Sequence, residues 1–328
     1  MKSRAASFLM LCMVSVAAFG QGRGPQTPPP TNLVAPNIPG VVAAGTSIQV
    51  VKGGFDRAEG PVAMPDGGIL FTGRNTLNRI DPAGNASTFV EDSNGANGLG
   101  FDAKGRLIAV ERGAGGLKVG VLYPPDSKTV LVDSYEGKPF GQLNDLVVST
   151  TGAVYFTDTS GDNKGTYYIP PGGKAMRVDN SIPSPNGVQL SPDEKILYAN
   201  DKDGEYLVAF DVRPDGTLAN RRNFGKYQSV RIPDSKDRLL AEDNGADGLA
   251  VDSEGRVYAA TNLGAEVFSP QGKYLGAIPF IWGGETFNLR KPANLAFSGP
   301  DKKTLYAVGA GTVFKVQMLV QGFKGRAK

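Results

Sequence analysis

Six positions of the sequence place a side-chain oxygen directly before or at the start of a short apolar segment. Each segment is followed by a turn-forming cluster and a second apolar segment. Carboxylate and amide oxygens are the ligands that hard divalent cations such as Ca²⁺ and Mg²⁺ prefer. If the fold brings the six positions together, their oxygens form a cation site. The six positions are Glu59, Asn97, Asn144, Asn186, Asp247 and Asn294.

A simpler interpretation treats the same residues as turn formers. Asn97, Asn186 and Asp247 are each followed by glycine, and Asn-Gly and Asp-Gly are strong turn dipeptides. The turn of each hairpin, however, already lies further along the chain, and a pure turn position also admits serine, lysine or proline. For the six positions taken together we therefore favour a converging polar site.

The available chemistry is restricted, because the chain contains no histidine and one cysteine, Cys12. A Ser-His-Asp triad and histidine-ligated zinc are excluded. No glycine-rich phosphate loop or dinucleotide fingerprint is present; the GAGG at 113–116 follows a strand pattern but precedes no helix pattern. What remains is a divalent cation that polarises a carbonyl and a carboxylate that takes a proton from water. This combination suits the hydrolysis of an activated ester such as a lactone.

A second set of polar residues stands where the second segment of each hairpin returns to the same end. It contains Glu111, Arg112, Asp158 and Asn200. These side chains are candidates to surround a ligand, and a structural ion pair is an equally good interpretation of each one.

The elements that must position these residues repeat along the chain. Six hairpin copies begin at the six positions, at intervals of 38 to 61 residues, and each interval has room for further strands. Four short strands per interval of this length are typical of a β-propeller blade. We predict an all-β fold over residues 47–328, a six-bladed β-propeller with four-stranded antiparallel blades. Residues 48–51 are expected to complete the last blade as its outer strand, and the six oxygens to meet at one mouth of the central channel.

The flanking segments predict export. Residues 1–20 have a basic start and an apolar middle with small residues around Gly20, as in a signal peptide, which places the protein in the periplasm or outside the cell. Residues 21–46 hold six prolines and predict an extended linker. The apolar stretch is too short for a membrane span.

A net charge of +3 without a dense basic run disfavours nucleic acid as a partner. The charged insertion at 228–244 predicts a surface loop at the rim of the mouth.

The hairpin motifs resemble the regucalcin/gluconolactonase/luciferin-regenerating-enzyme family of six-bladed propellers. The resemblance implies a lactonase that depends on one divalent cation, with Ca²⁺ first and Mn²⁺, Mg²⁺ or Zn²⁺ as alternatives, and that acts on small sugar lactones. It implies Glu59, Asn186 and Asp247 as cation ligands, Asp247 also assisting water activation, and Asn144 as a contact to substrate or cation-bound water. The motifs that carry it are EGPVAMPDGGILFT, LNDLVVSTTGAVYFTD, SPNGVQLSPDEKILYAND, ADGLAVDSEGRVYAA and PANLAFSGPDKKTLYA.

One motif departs from the family. Bacterial members often have Glu-His-Gly where this chain has Glu111-Arg112-Gly113. An arginine there is suited to a lactone carbonyl or a carboxylated substrate, so Arg112, Glu111 and Asn97 join Asn144 as predicted substrate-binding residues. Two other functions stay open at this point. One is a non-catalytic propeller that binds a sugar or a protein around a structural cation; the other is a strictosidine-synthase-like condensing enzyme that uses Glu111.

Overall fold

Six antiparallel sheets of four strands each make up the computed structural model, which describes residues 31–229, 232–233, 239–241, 244–282 and 291–328. This confirms the predicted six-bladed β-propeller. The predicted signal peptide and residues 21–30 lie outside the described residues. No helix in the described ranges is long and apolar enough to cross a lipid bilayer.

The first three blades follow strand β1, which spans Gln49–Lys52. Blade one contains β2 (Glu59–Ala63), β3 (Ile69–Thr72), β4 (Leu77–Ile80) and β5 (Ala86–Val90). Blade two contains β6 (Leu99–Phe101), β7 (Leu107–Glu111), β8 (Lys118–Tyr123) and β9 (Thr129–Val132), with a short 3₁₀ helix at Pro125–Ser127 before β9. A small hairpin, β10 (Ser134–Tyr135) and β11 (Lys138–Pro139), leads to blade three. That blade contains β12 (Leu143–Val148), β13 (Val154–Asp158), β14 (Gly165–Ile169) and β15 (Met176–Asp179).

The last three blades repeat this order. Blade four contains β16 (Pro185–Leu190), β17 (Ile196–Asp201), β18 (Tyr206–Val212) and β19 (Leu218–Lys226). The insertion carries β20 (Ile232–Pro233) and β21 (Leu239–Ala241), which pair with each other. Blade five contains β22 (Leu249–Val251), β23 (Val257–Thr261), β24 (Gly264–Phe268) and β25 (Tyr274–Ile278). Blade six contains β26 (Asn294–Ser298), β27 (Thr304–Gly309) and β28 (Thr312–Gln317).

Strand β1 closes the ring, as the sequence predicts. It pairs antiparallel with β28, Gln49 lying opposite Lys315, and so becomes the outer strand of blade six. Each blade's first strand packs against the first strands of both neighbouring blades, all the way round the ring. Because β1 pairs with β28 and the inner strands β2 and β26 pack together, the first and last blades are joined.

The hairpin turns explain why aspartate and arginine recur in the repeat. In blade two, Asp102 Oδ1 accepts hydrogen bonds of 2.9 Å from the backbone N–H groups of Lys104 and Arg106. In blade five, Asp252 Oδ1 accepts 2.9 Å bonds from the N–H groups of Glu254 and Arg256. The aspartate thus closes the turn with its own side chain, and the arginine two residues after Glu254 pairs with the aspartate's second oxygen at 3.0 Å.

The prediction of an extended linker up to residue 46 is wrong for residues 33–46, which pack on the propeller. Ile38, Val41 and Val42 are buried in the apolar cluster that joins blades five and six. Pro39 and Gly40 form a turn in which the Val41 N–H donates to the Ile38 carbonyl at 2.9 Å. Proline here shapes a tight turn, so the folded domain begins earlier in the chain than its proline content suggests.

We predict that Ile38→Ala lowers the free energy of unfolding by about 2–5 kcal/mol, because it leaves a cavity in a packed core. Ile38 is 1% exposed, whereas Val34 in the same segment is 51% exposed. The matched variant Val34→Ala is expected to stay within about 0.5 kcal/mol of the parent. Urea unfolding of both variants tests this, and equal stabilities would show that the segment is a loose tether after all.

Residues 318–328 cross the channel end opposite the six first positions. The Ala63 N–H donates to the Ala327 carbonyl at 3.0 Å, and the Phe323 N–H donates to the Val251 carbonyl at 3.4 Å. Ala63 and Val251 are the last residues of the inner strands β2 and β22, at the end of each strand away from the first positions. From this tail the Lys328 ammonium reaches the Asp145 carboxylate and binds both of its oxygens, with the two side chains 2% and 1% exposed. A buried ion pair therefore lies one residue along the chain from Asn144.

Candidate active site

Bulges place the first positions at the channel mouth. The strand register shifts between Glu59 and Val62 in blade one, and similar shifts follow Leu143 in blade three and Pro185 in blade four. A bulge bends a strand and re-aims its side chains, and bulges are common beside functional sites. Glu59, Asn144 and Asn186 all lie in these irregular starts.

The glycines that follow the first positions allow neighbouring blades to approach closely. Gly60 has a φ of +48°, and a Cβ there would overlap the Asn97 carbonyl oxygen of the next blade. A Cβ on Gly187 would overlap the Asp247 carbonyl oxygen, to which the Gly187 N–H donates at 3.0 Å. These glycines therefore serve contact between inner strands, and the turn-former interpretation of the motifs does not apply.

Side-chain hydrogen bonds link the first positions around the mouth. Asn97 Nδ2 donates to the Asn144 carbonyl at 2.8 Å and lies 3.3 Å from Asn144 Oδ1. Asn294 Nδ2 donates to Glu59 Oε2 at 3.4 Å, which joins the last blade to the first. We call the six first positions the polar column. These hydrogen bonds show that members from different blades are neighbours in space.

Two carboxylates share the mouth and disfavour each other's charge. Burial and, after it, the charge of the nearby Asp247 raise the pKa of Glu59 to about 7, although Arg57 opposes them. Burial also raises the pKa of Asp247, and Lys291 opposes this, with its Nζ 3.7 Å from Asp247 Oδ2. Crowded carboxylates of this kind are stabilised in their charged form by a bound cation.

Asn186 supplies an oxygen that no other described residue contacts by a hydrogen bond. Its Oδ1 is buried and without such a partner, while its backbone carbonyl accepts a hydrogen bond from the Thr157 hydroxyl at 2.6 Å. An unpaired buried amide oxygen is costly unless something binds it. Through the Gly187 N–H bond to the Asp247 carbonyl, Asn186 is adjacent to Asp247. Glu59, Asn186 and Asp247 therefore fit a hard divalent cation by their donor chemistry. The three residues supply two carboxylates and one amide. In the described part of the chain, no group of three His, Cys, Asp or Glu side chains is placed to hold a metal ion.

Two arginines converge on Asn97 beside the carboxylates. Arg57 Nη2 and Arg112 Nη2 both donate to Asn97 Oδ1, the Arg112 bond measuring 2.6 Å. Arg112 Nη1 also lies 3.4 Å from the Leu143 carbonyl. Burial and, after it, the charge of Arg57 lower the pKa of Arg112 to about 10, although Glu59 and Asp247 oppose them. We call Arg57 and Arg112 the arginine pair.

The chain is similar to a family of known proteins. Residues 57–311 match the model of the SMP-30/Gluconolactonase/LRE-like region. The chain belongs to this family. Its relatives include a gluconolactonase of Zymomonas mobilis, 26% identical over 86% of this chain and 84% of the relative. A pentonolactonase of Haloferax volcanii is 25% identical over 81% of this chain and 86% of the relative.

Solved structures of family members share the fold. A gluconolactonase of Xanthomonas campestris superposes with a TM-score of 0.72 at 22% identity, covering 91% of this chain and 99% of that one. Regucalcin from Agrobacterium tumefaciens, described as a calcium-binding protein, superposes with a TM-score of 0.65 at 16% identity, covering 84% of this chain and 95% of that one. At these identities the likeness shows a common propeller.

Glu111 has partners within its own blade, and its predicted contact with a ligand stays a prediction. Its carboxylate accepts a hydrogen bond from Asn94 Nδ2 at 2.9 Å and pairs with Lys118 at 3.3 Å. Successive strand residues point to opposite faces, so Arg112 reaches the column while Glu111 turns into its own blade. These contacts do not support the condensing-enzyme interpretation, which needs Glu111 in the channel.

The other two residues of the second set have structural roles. Asp158 accepts hydrogen bonds from the N–H groups of Gly141 and Gln142 at 2.8 and 2.6 Å. These bonds fix the segment that leads into β12. Asn200 Nδ2 donates to the Asp247 backbone carbonyl at 2.5 Å, so it positions the aspartate from behind.

Sequence reasoning missed Arg57, Lys291 and the Asp145–Lys328 pair. Arg57 lies two residues before Glu59, just outside the motif that begins there, so its position near Glu59 in the sequence was a usable signal. Lys291 stands outside the aligned hairpins, and Lys328 reaches Asp145 across 183 positions of the chain. No local pattern marks either lysine.

Proposed function

We propose that the protein is a cation-dependent lactonase that opens sugar lactones to hydroxy acids. The observation that carries this proposal is the proximity of the buried Glu59 carboxylate and the partly buried Asp247 carboxylate, beside an Asn186 amide oxygen that has no hydrogen-bond partner among the described residues. Relatives covering most of the chain are named gluconolactonase and pentonolactonase, which supports lactones as the substrate class.

Glu59, Asn186 and Asp247 are the proposed ligands of one divalent cation. An all-oxygen set containing two carboxylates favours Ca²⁺, with Mn²⁺, Mg²⁺ or Zn²⁺ as alternatives. When bound, such a cation supplies Lewis-acid polarisation of the lactone carbonyl. The Lys291 ammonium lies 3.7 Å from Asp247 Oδ2 and partly balances the charge of that carboxylate.

Asp247 is the proposed general base. A water attacks the lactone carbonyl carbon, and Asp247 accepts its proton. The bond from that carbon to the ring oxygen then breaks, the ring oxygen takes up the proton, and the product is an open-chain hydroxy acid. Its position at the channel mouth beside Asn186 supports this role, because a positioned carboxylate can act as a general base. Asn97, Asn144 and Arg112 lie at the same mouth and are the proposed substrate-orienting groups.

The test is a pH-stat assay of several aldonolactones, with and without a chelator. We expect acid release from at least one lactone, a loss of that activity after chelation, and its recovery when Ca²⁺ or Mn²⁺ is added back. Activity that survives exhaustive chelation would contradict the cation's role. Lactone binding without turnover would instead favour the non-catalytic propeller.

Export stays a prediction, because residues 1–20 lie outside the described residues. A cell-fractionation experiment with the full chain, followed by N-terminal sequencing of the exported form, tests it.

A further inference from the structure

The arginine pair is an unusual arrangement, since two positive groups donate to one neutral oxygen. Asn97 Oδ1 accepts from both Arg57 and Arg112, which uses both of its lone pairs. Asn97 is itself held by its Nδ2 bond to Asn144. The two guanidinium groups are therefore fixed side by side at the channel mouth.

Neither arginine has a carboxylate of its own. Within the part of the chain that the structure describes, Arg57 and Arg112 form no ion pair with an aspartate or glutamate. The acids that influence Arg112 electrostatically are Glu59 and Asp247, and these are the proposed cation ligands. A bound divalent cation balances those two acids, which leaves the charges of the arginine pair and Lys291 unbalanced by these two carboxylates.

Further donors of the arginine pair are open to a ligand. A guanidinium carries five N–H groups, and the hydrogen bonds described above use few of them. No nitrogen of either residue is both buried and without a partner in the described structure. Both side chains are only partly buried, so N–H groups remain for a ligand that enters at the mouth.

We infer that Arg57 and Arg112 form a carboxylate-binding subsite, and that the preferred substrates are lactones carrying a free carboxylate, such as monolactones of sugar dicarboxylic acids. This inference rests on the proposed lactonase function. A planar guanidinium matches a carboxylate in a two-pronged geometry, and the second guanidinium adds a further charge-assisted bond. The lactone ring then lies toward Glu59 and Asp247, with its carboxylate on the arginine pair.

The experiment compares two lactones with the same five-membered ring, one from gluconic acid and one from glucaric acid. They differ in that a carboxylate replaces the terminal hydroxymethyl group. We expect kcat/KM of the wild-type chain to be about 10- to 100-fold higher for the glucaric lactone, the range that hydrogen bonds to a charged group provide. High salt is expected to reduce this preference.

Variants assign the preference to the arginine pair. Arg57→Met and Arg112→Met are each expected to remove most of it, mainly through a higher KM for the glucaric lactone. Arg112→Lys keeps the charge without the planar fork and is expected to restore part of it. The matched control is Arg222→Met on the outer strand β19, where Arg222 pairs with Asp211; it is expected to keep the wild-type preference.

Three results separate this inference from the proposed function. Equal or better use of the gluconic lactone by the wild-type chain overturns the carboxylate subsite and leaves the lactonase standing. A higher kcat/KM for phosphorylated gluconolactone than for the glucaric lactone assigns the subsite to phosphate and also overturns the inference. Hydrolysis of no lactone at all overturns the proposed function first. Because the comparison of the two lactones uses only the wild-type chain, its result does not depend on whether any variant folds.

Discussion

Asp247→Asn lowers lactone turnover by about 10²- to 10⁴-fold, the usual contribution of a positioned general base. The replacement keeps an oxygen at the position, so it still offers the cation an amide ligand of the kind that Asn186 provides. It removes the proton acceptor and the partner of Lys291, which lies 3.7 Å from the carboxylate. The measurement is kcat in the pH-stat assay with saturating cation and with substrate above its KM.

Glu111→Gln is the matched control for that loss. Glu111 is a buried acid at the end of β7, and its carboxylate bonds to Asn94 and pairs with Lys118. We expect its turnover to stay near the wild-type value. Circular dichroism and thermal unfolding show whether both variants are folded. Wild-type turnover in folded Asp247→Asn would remove Asp247 from the mechanism.

Asp145→Asn lowers the free energy of unfolding by about 3–5 kcal/mol, because it leaves the buried Lys328 ammonium without a compensating charge. The side chains of both residues are almost fully buried, so water cannot replace the lost partner. The measurement is urea unfolding followed by tryptophan fluorescence from Trp282, the one tryptophan of the chain.

Asp162→Asn is the control for the same chemical change at the surface. Asp162 and Lys138 lie 3.5 Å apart with side chains 84% and 63% exposed, and such pairs contribute about 0–1 kcal/mol. The double variant Asp145→Asn with Lys328→Met removes both charges and is expected to recover part of the stability. If Asp145→Asn is no more destabilising than Asp162→Asn, the tail does not hold a buried ion pair.

Repetition made the architecture predictable. The six hairpin copies, their spacing and the early strand β1 indicated the blade number and the closure, because each blade is a local unit of consecutive strands. The column of side-chain oxygens was predictable for the same reason: a residue that begins the first strand of every blade must lie at the same end of the channel. Glu59 and Asn294, 235 positions apart, meet there through a hydrogen bond.

Side-chain direction was less predictable. Glu111 and Arg112 are consecutive, and the register of β7 decides which of them reaches the column. The linker prediction failed similarly, since proline content does not reveal that Ile38 and Val42 have an apolar groove to fill. Both outcomes depend on neighbouring elements that lie outside the local pattern.

The sequence by itself determined the blades, the ring and the ring position of each first residue, because these follow from local alternation repeated six times. Tertiary structure alone decided that Arg57 joins Arg112 on Asn97, that Lys291 stands beside Asp247, and that Lys328 neutralises Asp145 from the far end. These contacts depend on where separate blades and the tail meet after the ring has closed, and no periodicity in the chain encodes a meeting of that kind.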